Sequence, residues 1–62
     1  GKKIAPNLYE IRVKVAPNQY RLFYCYVEPE SVLILSGFVK KTQQTPKHEI
    51  DKAKRIRKAV LK

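Results

Sequence analysis

Sixty-two residues with a single cysteine and a single histidine allow one small domain and exclude both a disulfide scaffold and a structural zinc site. A net charge of +9, from 14 Lys/Arg against five Asp/Glu, exceeds what solubility requires and points to a polyanionic partner, nucleic acid before membrane. No apolar run reaches the roughly 20 residues of a membrane span and no signal-peptide pattern opens the chain, so the expected setting is reducing and cytoplasmic, without a membrane partner.

In chain order, the first clear element is "NLYEIRVKV" (7–15). Tyr9, Ile11, Val13 and Val15 point one way and Glu10, Arg12 and Lys14 the other, as in a half-buried strand. "APNQ" (16–19) reads as a turn in which Pro17 presets φ and Asn18 tolerates the tight position after it. "YRLFYCYV" (20–27) has apolar residues on both faces: Tyr20, Leu22, Tyr24 and Tyr26 oppose Arg21, Phe23, Cys25 and Val27. "EPES" (28–31) is a second turn. "VLILSGFV" (32–39) is again apolar on both faces, with Gly37 marking a bulge or a close backbone approach. Short connections predict an antiparallel meander of three strands.

After Lys40 and Lys41, a polar stretch ends at Thr45-Pro46. Thr45 is expected to cap a helix with Pro46 at its first position. The helix is predicted to run into the last few residues, with Glu49 and Asp51 early and Lys/Arg late, as the helix dipole prefers. Ile50, Ala53, Ile56 and Val60 form its narrow apolar stripe. The fold class is therefore α+β, a single domain over 1–62. Charge is uneven: residues 1–39 carry five Lys/Arg and three acids, residues 40–62 nine and two. Basic surface gathers on the helix and the approach to it; a well-solvated helix is the plain alternative. Two strands with two apolar faces need more cover than one helix provides. A further N-terminal segment is the expected cover; a partner protein or self-association through the uncovered face is the other possibility.

The order "LYEIRVKV", "NQYRLFYCYV", then "VLILSGFVKKTQQTPKHEIDKAKRIRK" resembles the C-terminal part of the RelE/HigB toxin superfamily, and within it the phage-derived HigB-like branch. The resemblance runs from about Leu8 over nearly the whole chain. It implies a toxin of a type II toxin–antitoxin system lacking its N-terminal helices, and a metal-independent, cofactor-free endoribonuclease acting on mRNA at the ribosome. It also implies a cognate antitoxin, commonly of helix-turn-helix type. The strand arginine Arg21 in "YR" matches that family's catalytic arginine position.

Cleaving RNA without a metal requires a base for the 2′-hydroxyl, cations for the developing phosphate charge and an acid for the leaving oxygen. Arg12 and Arg21 lie on the same side of neighbouring strands and can converge on one phosphate. Lys40 ends the third strand beside Lys41; one can serve the site while the other binds RNA backbone. His48, beside the helix's positive end, is the candidate acid or base by elimination, with a solvated first-turn histidine as the alternative. Lys14 and Lys47 complete the expected RNA-binding set with Lys40 and Lys41. Glu10 reads as part of a charge-balanced strand face, the tyrosines as packing residues and Cys25 as a small core residue. The competing function is a non-catalytic basic RNA- or DNA-binding module, or a ParE-like toxin acting on a protein target.

Overall fold

The computed structural model describes residues 1–41 and 44–61. It is α+β: a four-stranded antiparallel sheet followed by one C-terminal helix, in the order β1 (Lys2–Ala5), β2 (Leu8–Val15), β3 (Asn18–Val27), β4 (Ser31–Val39) and α1 (Lys47–Val60). Spatial order equals chain order, because each connection is too short for anything but an adjacent antiparallel return.

The sheet has one strand more than the three expected. Residues 2–5 pair with β2 through Lys2–Glu10, Lys3–Tyr9 and Ala5–Leu8. The turn between them is made by Pro6 and Asn7, and Asn7 has φ 50°, a region asparagine tolerates better than most residues. Its side chain also ties the turn to β3. Asn7 Nδ2 donates to the Tyr26 carbonyl at 3.0 Å, and the Tyr26 amide donates to Asn7 Oδ1 at 2.9 Å.

The registers of β2 with β3 and of β3 with β4 confirm the two sets of side chains. One face carries Tyr9, Ile11 and Val13 opposite Tyr24, Leu22 and Tyr20, continued by Val39, Gly37, Ile34 and Val32. The other carries Glu10 and Arg12 opposite Phe23 and Arg21, then Phe38, Ser36 and Leu33. The helix packs on this second face. Leu8, Phe23, Cys25 and Leu35 form the buried core with Ala53 of α1, flanked by Ile50 and Ile56. Phe23 stacks on Phe38 with ring centroids 5.7 Å apart.

One open alternative is decided and two local expectations are corrected. The irregularity in β4 falls at Leu35, where the register slips between Ser36 and Ile34 and turns a leucine into the core. Gly37 instead marks a close approach, because a Cβ there would lie 2.5 Å from Leu22 Cδ2. At the helix start, Pro46 occupies the cap position with no side-chain cap bond. The Thr45 hydroxyl donates to Glu10 Oε2 at 2.7 Å instead. A cap would use the Thr45 oxygen as an acceptor from a backbone amide; here Thr45 stands one residue before the cap position, and its hydroxyl hydrogen goes to the buried carboxylate. The stripe also ends early: Val60 is exposed while Ile50, Ala53 and Ile56 pack.

Candidate nucleic-acid interface

β2 and β3 place Arg12 and Arg21 directly opposite one another. Beyond them the backbone of β4 continues by one residue, since the Lys40 amide donates to the Gln19 carbonyl at 2.8 Å. That bond holds Lys40 and Lys41 over the end of the sheet, beside the Pro17–Gln19 turn. The result is an open cleft of about 530 Å³ lined by Arg12, Arg21, Lys40 and Lys41 with Pro17, Asn18, Gln19 and Val39. Four of the six Lys and Arg residues expected to serve the site, Arg12, Arg21, Lys40 and Lys41, thus meet in one concavity, and Lys14 and Lys47 do not.

Glu10 fixes the floor. It is 2% exposed, accepts from Arg21 Nη1 at 2.9 Å and accepts from the Thr45 hydroxyl. Its charge therefore balances Arg21 and leaves the other three cations without an acid in the cleft lining. Arg21 is clamped on one edge only: its Nε is buried without a hydrogen-bond partner. Buried donors of this kind call for an explanation. Lys40, half-buried, has its pKa lowered, first by desolvation and then by the Arg21 charge, with Glu10 opposing and Arg12 and Lys2 adding to the fall. Desolvation opposes a charge of either sign; only the part of the fall that comes from Arg21, Arg12 and Lys2 reports a positive field around Lys40.

The remaining candidates lie elsewhere. His48 is 78% exposed, with Nε2 3.3 Å from Glu49 Oε2, and it does not line the cleft. Lys47 is exposed and bonded to Asp51 at 3.1 Å, one helical turn on. Lys14 is exposed and paired in register with Gln19, outside the lining set. A second, shallower basic hollow of about 400 Å³ follows the helix at Lys54, Arg55, Arg57, Lys58 and Leu61. Glu10 and Thr45 are the positioning residues that sequence reasoning missed. The available signal was that Glu10 shares its strand face with Arg12, next to the arginine it neutralises. Among the described residues no group of three His, Cys, Asp or Glu is placed to hold a metal, and no helix is long and apolar enough to cross a membrane.

Residues 1–58 match the family model described as Phage derived protein Gp49-like (DUF891). The chain belongs to this phage-derived Gp49-like family. The match overturns the RelE/HigB toxin superfamily suggested by the strand motifs, and the endoribonuclease and hydrolase assignments carried by that resemblance go with it. The phage-derived character stands. No curated protein and no solved structure matches the chain. Antitoxin and ribosome follow only from the overturned resemblance. Contact with RNA rests also on charge.

Proposed function

We propose that this Gp49-like protein is a single-stranded RNA-binding module that grips the sugar–phosphate backbone in the cleft between the Pro17–Gln19 turn and the end of β4. The observation that carries this reading is the convergence of Arg12, Arg21, Lys40 and Lys41 on one hollow whose only nearby acid is already committed to Arg21 and Thr45. Arginine suits forked recognition of phosphate oxygens, and lysine supplies long-range attraction. The cleft is a recess at a sheet end rather than a projecting helix or ribbon. It therefore suits a flexible single strand better than the groove of a duplex.

Binding follows from this arrangement more directly than bond cleavage does. Glu10 is hydrogen-bonded to two partners in the core, and His48 stands outside the cleft, so neither is posed as a proton acceptor for a strand lying on Arg12. The expected chemistry is sequence-tolerant and salt-dependent, with log K falling by about 0.7 per phosphate neutralised for each unit of log[salt]. The test is fluorescence anisotropy of a labelled oligouridine against the parent and Arg12→Ala/Lys41→Ala, across a range of salt. The double variant removes two cations that have no side-chain hydrogen bond or ion pair among the described residues. Its salt slope should fall by about 1.4, two contacts at about 0.7 each. An unchanged slope would refute the cleft reading.

A further inference from the structure

Lys40 differs from the other cleft lysine in how it is held. It is half-buried where Lys41 is exposed, and its amide donates to the Gln19 carbonyl at 2.8 Å. That bond anchors the base of its side chain at the rim of the hollow it shares with Arg12, Arg21 and Lys41. A lysine beside a carboxylate is held charged, as Lys47 is at 3.1 Å from Asp51 Oδ2. Lys40 has no such ion pair among the described residues. The acid nearest in the site, Glu10, already accepts from Arg21 at 2.9 Å and from Thr45 at 2.7 Å. Desolvation and the charges of Arg21, Arg12 and Lys2 all favour a neutral Lys40, with Glu10 alone opposing. A neutral amine is a nucleophile and an ammonium is not, and desolvation or a neighbouring cation is how a lysine becomes one.

We propose that Lys40 is an acylation site whose donors are small acyl phosphates, and that its acylation weakens RNA binding in the same cleft. One hollow supplies both the nucleophile and the seat for the donor. Arg12 and Lys41, neither in an ion pair among the described residues, take the phosphoryl oxygens, which brings the acyl carbon to the Lys40 amine. The neutral amine attacks that carbon. The N–C bond forms, and the bond from the carbon to the bridging phosphate oxygen breaks. Phosphate departs with the bonding pair and takes up the proton that the nitrogen sheds, so no oxidant or further reactant enters. The product is an uncharged amide. One of the four cleft cations is thereby lost, and with it a share of the attraction for phosphate.

The inference rests on phosphate entering this cleft, and its test reads the position of acylation rather than affinity for RNA. The folded 62-residue chain is treated with acetyl phosphate near neutral pH, and acetylation of each lysine is followed by peptide mass spectrometry. Lys40 should react about tenfold faster than Lys52, which lines neither hollow, and than Lys58, exposed in the helix hollow. With the uncharged N-hydroxysuccinimide ester of acetic acid, the ratio of Lys40 to Lys52 should fall severalfold, because no phosphoryl group carries that reagent to the cleft. Selectively acetylated parent, and Lys40→Gln as its uncharged counterpart, should each lose about 0.7 of the RNA salt slope, one contact. Equal rates at positions 40, 52 and 58, or the same ratio with both reagents, overturn the proposal. Oligouridine anisotropy on the parent separates the two readings: a parent that binds with the expected slope but shows no preference for Lys40 sinks the acylation site alone. Selective acetylation that leaves the slope unchanged keeps the acylation site and overturns both its effect on RNA and the cleft's role in binding it.

Discussion

Removing the Glu10 carboxylate exposes how closely this fold and its cleft depend on one buried charge pair. Glu10 is 2% and Arg21 12% exposed, at 2.9 Å, and the same carboxylate accepts from Thr45. Deleting one member of a buried pair typically costs about 3–5 kcal/mol, because the other charge is left uncompensated. The small residual exposure of Arg21 places this protein toward the lower end, and the lost Thr45 bond adds about 1 kcal/mol. At roughly 0.05–0.15 kcal/mol per residue, a chain of this length has only about 3–9 kcal/mol in total. Glu10→Ala should therefore be close to unfolded at 25 °C. Replacing both members with apolar residues, Glu10→Leu/Arg21→Met, should recover much of the loss, since no buried charge remains. Urea unfolding followed by circular dichroism measures both. Excess oligoribonucleotide should stabilise Glu10→Ala more than the parent, because phosphate then supplies the missing negative charge beside Arg21. A loss under about 1 kcal/mol in Glu10→Ala would show that the pair neither organises the floor nor holds the start of α1.

Three further outcomes follow. Asn7→Ala should lose about 1–2 kcal/mol, from two bonds to the Tyr26 backbone and a positive φ, while Asn7→Gly should recover the backbone part alone; thermal unfolding separates them. Because the Lys40 pKa is lowered in the free protein, a bound phosphate should raise it again. RNA affinity should then be full below that lowered pKa and decline as pH rises through it, and Lys40→Arg should remove that decline. His48→Gln should leave RNA affinity and its salt slope unchanged in anisotropy titrations, since His48 lies outside the cleft.

Much of this architecture is legible in residues 8 to 39. Alternation in β2 and the bulky two-faced runs of β3 and β4 carry periodicity strong enough to define both strands and faces. Arg12 and Arg21 could be placed together because parity alone puts them on one side of adjacent strands. β1 escaped because Lys2–Ala5 is short and half lysine, so only Pro6–Asn7 hints at a hairpin. Thr45-Pro46 has the local form of a helix cap, yet its hydroxyl is taken by a carboxylate 35 residues away, a contact that no local pattern carries. Glu10 was obscured for a related reason. With both sheet faces apolar in β3 and β4, sequence does not reveal which one α1 covers, and that choice decides whether Glu10 is solvated or buried. His48 was placed correctly in the first helical turn, but its direction around the helix axis depends on docking.

The central claim is that RNA phosphate enters the Arg12–Arg21–Lys40–Lys41 cleft and not the basic hollow along α1. Amide and side-chain NMR shifts of the labelled protein, followed during titration with a short oligouridine, test it most directly. The account predicts that the largest changes fall on Arg12, Gln19, Arg21 and Lys40–Lys41, including the Arg21 Nε–H signal, with small changes at Lys54, Arg55, Arg57 and Lys58. Changes concentrated on those four helix residues, with Arg12, Arg21 and Lys40 unmoved, would contradict it.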